Sequence, residues 1–266
     1  MSKQKTISIC ADDFGQHQAI DASVLQLLEN GRLSGTSCLV HGQSFQRSAQ
    51  DLRHTRGQKG LHVNFTELLS TEHLVWPLKK LIVLAYLQRL PEQSLRQGIT
   101  AQLDLFEQHM QQAPDYIDGH QHVHQLPQIR DVLLEIIVTR YGANSPWLRY
   151  TGAERITGQG SLSAQSKPRI IALLGAGDLA RLAAAKGISM NAALTGVYNF
   201  QGGRQAYATW MQHWLSVMQQ GDSLMCHPAL SAVPNDALGS QRQAEHEVLC
   251  STEMTSWLEH YQLRVA

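Results

Sequence analysis

Cysteine is scarce in this chain. Cys10, Cys38, Cys226 and Cys250 lie far apart, with no CxxC pair. That spacing excludes a zinc ribbon and a disulfide framework, and it reads as reduced residues of a core. Net charge is missing as well: 22 Lys and Arg balance 22 Asp and Glu. No general field is present to attract nucleic acid or an anionic membrane, so neither is an expected partner. Aromatics make up 6% of residues and form no basic, aromatic-studded cluster of the kind that binds nucleic-acid strands. No long apolar run occurs. The most apolar stretch, Leu78 to Leu90, contains Lys79, Lys80 and Arg89 and falls far short of a membrane span. Too few apolar residues precede Asp12 for a signal-peptide core, so the expected location is cytoplasmic. No repeat, low-complexity tract or linker interrupts the 266 residues, a length that suits one α/β domain over 1–266.

Histidine, by contrast, is plentiful, with 13 residues. Three of them, His120, His122 and His124, alternate in Asp118-Gly119-His120-Gln121-His122-Val123-His124. Imidazole is the commonest protein ligand for transition metals. In an extended segment, alternate residues face one side. A lone histidine reads more simply as a hydrogen-bonded polar residue. Three at this density predict a metal or catalytic role.

Companions lie far away in sequence. Thr6 to Ala11 reads as a buried strand and runs straight into Asp12-Asp13-Phe14-Gly15. Adjacent carboxylates at a strand end need positive charge beside them, unless they merely cap the following helix. Lys59 to Asn64 places His62 on or at the end of another strand. Ser223 to Cys226 is an apolar run that ends in His227-Pro228-Ala229. One pattern recurs: an apolar strand, then Asp or His at its C-terminal end. In parallel α/β folds, ligands bind outside the carboxyl ends of the strands.

Strand-like runs fall near 6–11, 36–40, 59–63, 115–118, 146–150, 193–197, 222–226 and 261–265. Between them, Gln18 to Asn30, Ser94 to Gln112, Ile129 to Tyr141 and Tyr207 to Gln219 carry apolar residues at helical spacing. Alternation of strand and helix implies a mostly parallel sheet with helices outside, and about eight units suggest a closed or nearly closed barrel. Gly175-Ala176-Gly177-Asp178-Leu179-Ala180 fits the loose dinucleotide form GxGxxA, with Ile170 to Leu174 as its strand. No acidic residue follows at the distance that ribose binding needs. The segment reads instead as a Leu- and Ala-rich helix bent at its glycines.

Four motifs, ADDFG at 11–15, GLHVNFT at 60–66, DGHQHVH at 118–124 and CHPA at 226–229, together resemble the YdjC/ChbG-like carbohydrate deacetylases. They occur in the family's order and span nearly the whole chain. Gly35-Thr36-Ser37 before Cys38-Leu39-Val40, and Arg242 followed by Glu245 to Leu249, are similar too. Gly119 and Gln121 depart from the family, which often has Ser and His there, as does Gln16-His17 after ADDFG. The resemblance implies a distorted (β/α) barrel, TIM-barrel-like and of one domain, that removes the N-acetyl group of an amino sugar or a short N-acetylglucosamine oligosaccharide. It implies one divalent metal held by Asp13, His62 and His120, with Asp12 as general base and His227 as general acid.

The division of labour is chemically sensible. An acetamide is unreactive, and a bound cation both activates water and acts as a Lewis acid. Zinc or magnesium is the expected metal; cobalt, nickel and iron also suit nitrogen and oxygen ligands. His122 and His124 are expected to touch the sugar or support the ligands. Arg149 is expected to orient a carboxylate or bind substrate, unless it forms a surface ion pair. Phe65, Trp76, Trp147 and Tyr150 are candidates for sugar stacking or ordinary packing. A homodimer remains open. The alternatives are a metal-dependent phosphoesterase on the same scaffold, with two metals, and a sugar-binding relative without catalysis.

Overall fold

The computed structural model describes residues 4–70, 74–152, 162–233 and 235–266. Eight strands appear in it: β1 (Lys5–Phe14), β2 (Gly35–Cys38), β3 (Gln58–Val63), β4 (Tyr116–Gly119), β5 (Trp147–Leu148), β6 (Leu194–Thr195), β7 (Ser223–Cys226) and β8 (Leu263–Val265). The helices are α1 (Gln18–Glu29), α2 (Phe45–Arg53), α3 (Leu78–Tyr86), α4 (Glu92–Met110), α5 (Ile129–Tyr141), α6 (Leu162–Leu173), α7 (Ala176–Ala185), α8 (Gly203–Val217), α9 (Gln241–Leu249) and α10 (Thr252–His260). All strand pairings are parallel, in the order β5-β4-β3-β2-β1-β7-β6, with β8 joining the first residues of β1.

The sheet curls into a distorted (β/α) barrel of one domain. Its two edges meet through short contacts rather than a full ladder. The Leu148 amide donates to the Ser189 carbonyl at 2.9 Å, and Leu148 bridges Met190 in parallel. The Asn191 side chain accepts from the Tyr150 amide and donates to its carbonyl. β5 and β6 are only two residues long, so side-chain hydrogen bonds do what a longer ladder would do elsewhere.

Strand burial follows from this architecture. The helices cover the outer face and side chains fill the interior, so β1 reads as a nearly continuous buried run. Ile7, Ile9, Phe14, Ile20, Val24 and Leu27 belong to one core with Leu61, Ile117 and Leu224. α1 begins after His17, whose Nδ1 accepts from the Ala19 amide, so neither Asp12 nor Asp13 serves as its cap. It stops before Gly31, which takes the left-handed φ of 65°. The GxGxxA segment is helical. Gly175, with φ 120°, separates α6 from α7, and a side chain there would strike the Gln125 carbonyl. Among the described residues no helix is long and apolar enough to cross a membrane.

Candidate active site

All the sequence-selected acidic and histidine residues gather at the C-terminal ends of the strands. β1 delivers two adjacent carboxylates there, although neighbours on a regular strand point to opposite faces. The pairing of β1 with β2 is irregular: Ala11 to Phe14 on β1 spans Thr36 to Cys38 on β2, one residue fewer. Asp13 takes up the extra residue with φ 70°. A left-handed non-glycine costs on the order of 1–3 kcal/mol and persists where the surroundings hold it. The bulge re-aims Asp13, so both carboxylates line one cavity.

That cavity has a volume of about 470 Å³ and is floored by Asp12, Asp13, His62, His120, His122 and His227. Asp13 Oδ1 lies 3.6 Å from His62 Nε2 and 3.2 Å from His120 Nδ1. The three ligating atoms lie within 4.8 Å of one another. Tetrahedral ligands bonded at about 2.0–2.1 Å stand about 3.3 Å apart, so this set fits a metal ion with little rearrangement. The far side of each ligand is held. His62 Nδ1 meets Asp118 Oδ1 at 2.6 Å, because the register sets His62 beside Asp118 on the adjoining strand. Arg242 Nη2 donates to Asp13 Oδ2 at 2.8 Å. His120 Nε2 is 3.0 Å from Glu67 Oε2. Such outer contacts fix ligand orientation.

Charge tells the same story. Burial works against a charged His120, but hydrogen bonds and charges from Asp13 and Glu67 outweigh it and push its pKa up to about 10. Burial likewise opposes a charged Asp13, yet Arg242 and His120 hold its carboxyl well below the usual range. Without a metal, the site therefore draws a proton onto His120. A cation would replace that proton.

Asp12 is held differently. The Arg149 guanidinium, 1% exposed, donates from Nη1 to Asp12 Oδ2 at 2.6 Å and from Nη2 to Oδ1 at 2.7 Å. The same Nη2 stands 2.7 Å from Asp118 Oδ2. Ser37 Oγ donates to Asp12 Oδ1 at 3.1 Å. Burial raises the Asp12 pKa, but Arg149 and then His62 bring it below the ordinary value. Asp12, His62 and Asp118 form a second cluster of metal-ligand type. Arg149 already supplies its positive charge, and this disfavours a second cation.

His227 follows β7 and faces the cavity. Its backbone amide donates to Glu245 Oε2 at 2.6 Å, and Glu245 Oε1 accepts from the Tyr198 hydroxyl at 2.6 Å. Its ring meets Phe200 edge-on, with centroids 5.2 Å apart.

Several expectations change. His120 to Gln125 is a 3₁₀ segment in which Gln121 and His122 have φ of 52° and 60°, so alternation along an extended segment does not operate. His120 and His122 line the cavity. His124 turns away beneath it, fully buried, with Nε2 2.9 Å from the Arg149 carbonyl oxygen. Burial lowers its pKa to about 4. Arg149 is neither a surface ion pair nor a lining residue; its buried guanidinium is paired with Asp12. Neither His124 nor Arg149, both expected as substrate contacts, lines the cavity; each is buried behind it. Gly119, where the family often has Ser, is explained locally: a Cβ would lie 2.8 Å from the His124 amide nitrogen.

The aromatic candidates also move. Phe65 is buried and packs on half-buried Trp76; Trp147 stacks on Tyr116; none of these, nor Tyr150, lines the cavity. Roles for Asp118, Arg242, Glu67 and Glu245 escaped the sequence reading. Asp118 and Arg242 stood inside quoted motifs, but only strand register and the packing of α9 reveal what they hold.

The sequence model of the YdjC-like protein family matches residues 6–260. A carbohydrate deacetylase of Mus musculus is 30% identical over 146 residues, 48% of this chain and 46% of that protein. A chitooligosaccharide deacetylase of Escherichia fergusonii is 26% identical over 136 residues, 47% of this chain and 53% of that one. These alignments span about half the length of the curated relatives. Among solved structures, an Enterococcus faecalis protein described provisionally as a cellobiose-phosphate cleavage protein superposes with a TM-score of 0.71 at 17% identity. The match covers 99% of this chain and 97% of that one, and it speaks to fold alone.

Proposed function

Because this chain belongs to the YdjC-like protein family, we propose that it is a carbohydrate deacetylase, one metal-dependent domain over 1–266. Its substrate on this reading is an N-acetylated amino sugar or a short N-acetylglucosamine oligosaccharide. The observation that carries the reading is the convergence of Asp13, His62 and His120 in a cavity that also presents Asp12 and His227.

Asp13, His62 and His120 would hold one divalent cation. Two imidazoles and one carboxylate suit zinc, cobalt, nickel or iron better than magnesium, which prefers oxygen. When bound, such a cation supplies Lewis acidity and makes water acidic enough for a base as weak as Asp12. Asp12 takes the proton of the attacking water, held in place by Arg149 and Ser37. His227 gives a proton to the leaving nitrogen as the C–N bond breaks, so acetate and a free amine result. Glu245 holds the backbone amide of His227, and Tyr198 fixes Glu245.

The direct test is acetate release from N-acetylglucosamine and its dimer, using chelator-treated protein with and without added zinc, cobalt, nickel or magnesium. Activity should vanish on chelation and return with one equivalent of metal per chain. Two metals per chain with phosphate release instead of acetate release would favour the phosphoesterase. Metal binding without any turnover would favour the sugar-binding relative.

His227→Ala should keep its metal and lose on the order of a hundredfold or more in turnover. Near-normal turnover in this variant would remove His227 from the mechanism.

A further inference from the structure

Above the charged floor the lining is largely apolar, although Glu67, Gln121, Lys167, Asp236 and Arg242 also border the cavity. Leu78 and Ile82 of α3 contribute to this lining, as do Ile170 and Ile171 of α6 and the following Leu174. A second apolar cluster, Leu194, Val197 and Met225 with Ile171 and Phe200 against it, stands apart from the main core. Val197 and Met225 of this cluster line the same cavity as His227, together with Ile171 and Phe200. Sugar rings are normally bound by hydrogen-bonding groups and aromatic platforms. Here none of the aromatics that sequence singled out lines the cavity, and among the described residues Phe200 is the Phe, Tyr or Trp that does.

The apolar surface does not stop at the cavity. α3 and α6 are neighbours, joined by the Tyr86 hydroxyl donating to the Leu173 carbonyl at 3.4 Å. Ile170 lines the cavity and is itself 56% exposed; beyond the lining residues these helices expose Val83 (55%) and Leu173 (81%), and Leu87 (55%) directly follows α3. Single exposed apolar residues are ordinary. A run of them continuous with a cavity marks a binding surface. The surface opens directly onto the reacting groups, so its occupant is part of the substrate.

We infer that the amino sugar taken by this site carries a hydrocarbon chain, and that the chain lies between α3 and α6. The inference rests on the deacetylase reading. In that reading the acyl group is acetyl, so the chain belongs to the other end of the sugar, as an alkyl or isoprenoid-type aglycone. A free chito-oligosaccharide would leave these walls facing water or hydroxyl groups. A chain removes them from water, and burial of one methylene strengthens binding by up to about fourfold.

Methyl, butyl and octyl β-glycosides of N-acetylglucosamine, kept below their micelle concentrations, test this with the metal-loaded protein. Acetate release reads turnover, and titration calorimetry reads binding. Both kcat/KM and affinity should rise with chain length, by about two- to fourfold per methylene until the walls are covered. A flat or falling series with steady acetate release overturns the inference and leaves the deacetylase reading standing. Chain-length-dependent binding with no acetate release does the opposite: the apolar site stands and the deacetylase reading falls. A preference for a longer N-acyl group on the methyl glycoside, with no gain from the alkyl chain, also overturns the inference. Ile170→Gln, at an exposed position where folding is not at risk, should lower the octyl-to-methyl ratio severalfold. An unchanged ratio, together with an unchanged ratio in Ile82→Asn, removes these two helices from the site.

Discussion

Asp12→Asn should abolish most turnover, by on the order of a hundredfold or more, while the metal content of the protein stays at its wild-type value. The amide preserves the shape of the carboxylate but cannot take a proton from water. Asp12 is also not among the three groups that converge through Asp13 Oδ1. The fold should survive, because Arg149 keeps Asp118 as a partner at 2.7 Å. Some stability is lost, since an amide NH₂ then confronts a guanidinium N–H. Asp13→Asn is the comparison. It removes the carboxylate that faces both imidazoles, and it should lower metal affinity together with activity. Metal analysis of the two variants, beside acetate release, checks the assignment. If Asp12→Asn released the metal and Asp13→Asn kept it, the two carboxylates would exchange roles.

Arg149→Leu should destabilise the protein by about 3–5 kcal/mol, the usual cost of stripping one partner from a buried ion network. Arg149 is 1% exposed, Asp12 2% and Asp118 0%, so neither carboxylate can turn to water. Asp118 also holds the His62 ring at 2.6 Å, so the loss spreads to a metal-ligand candidate. Urea denaturation of the metal-free protein measures the effect without interference from cation binding. The triple variant Arg149→Leu with Asp12→Asn and Asp118→Asn removes the unpaired charges and should recover part of the loss. A drop below about 1 kcal/mol in the single variant would mean that water or another cation compensates, and that Arg149 does not govern the position of Asp12.

Much of the candidate site was legible because its chemistry is local in sequence. Asp12-Asp13, His62, His120 and His227 each follow an apolar run, and parallel barrels bring strand ends together whatever their spacing. The helices at 18–29, 92–110 and 129–141 lie close to their periodic patterns, because one face of each must be apolar to pack on the sheet. Other features were decided by tertiary contact. Arg149 looks like any arginine after a short strand; only closure of the sheet near Tyr150 and Asn191 buries it against Asp12. His120, His122 and His124 look equivalent in an alternating run. Two left-handed residues, with Gly119 admitting the His124 backbone, send His124 under the floor and keep His122 in the cavity.

By itself the sequence determined the run of eight strands, several of the helices between them, the residue types at the strand ends and the family resemblance. All of these depend on neighbours along the chain. The helices α2, α3, α9 and α10 were not legible in it. The tertiary structure alone decided which atoms meet. The β1 bulge that turns Asp13 beside Asp12, the register that places Asp118 behind His62, and the apolar lining contributed by α3 and α6 join residues tens of positions apart. Local propensity carries no information about such pairings, since they are set by how the sheet curls and how the outer helices pack to cover it.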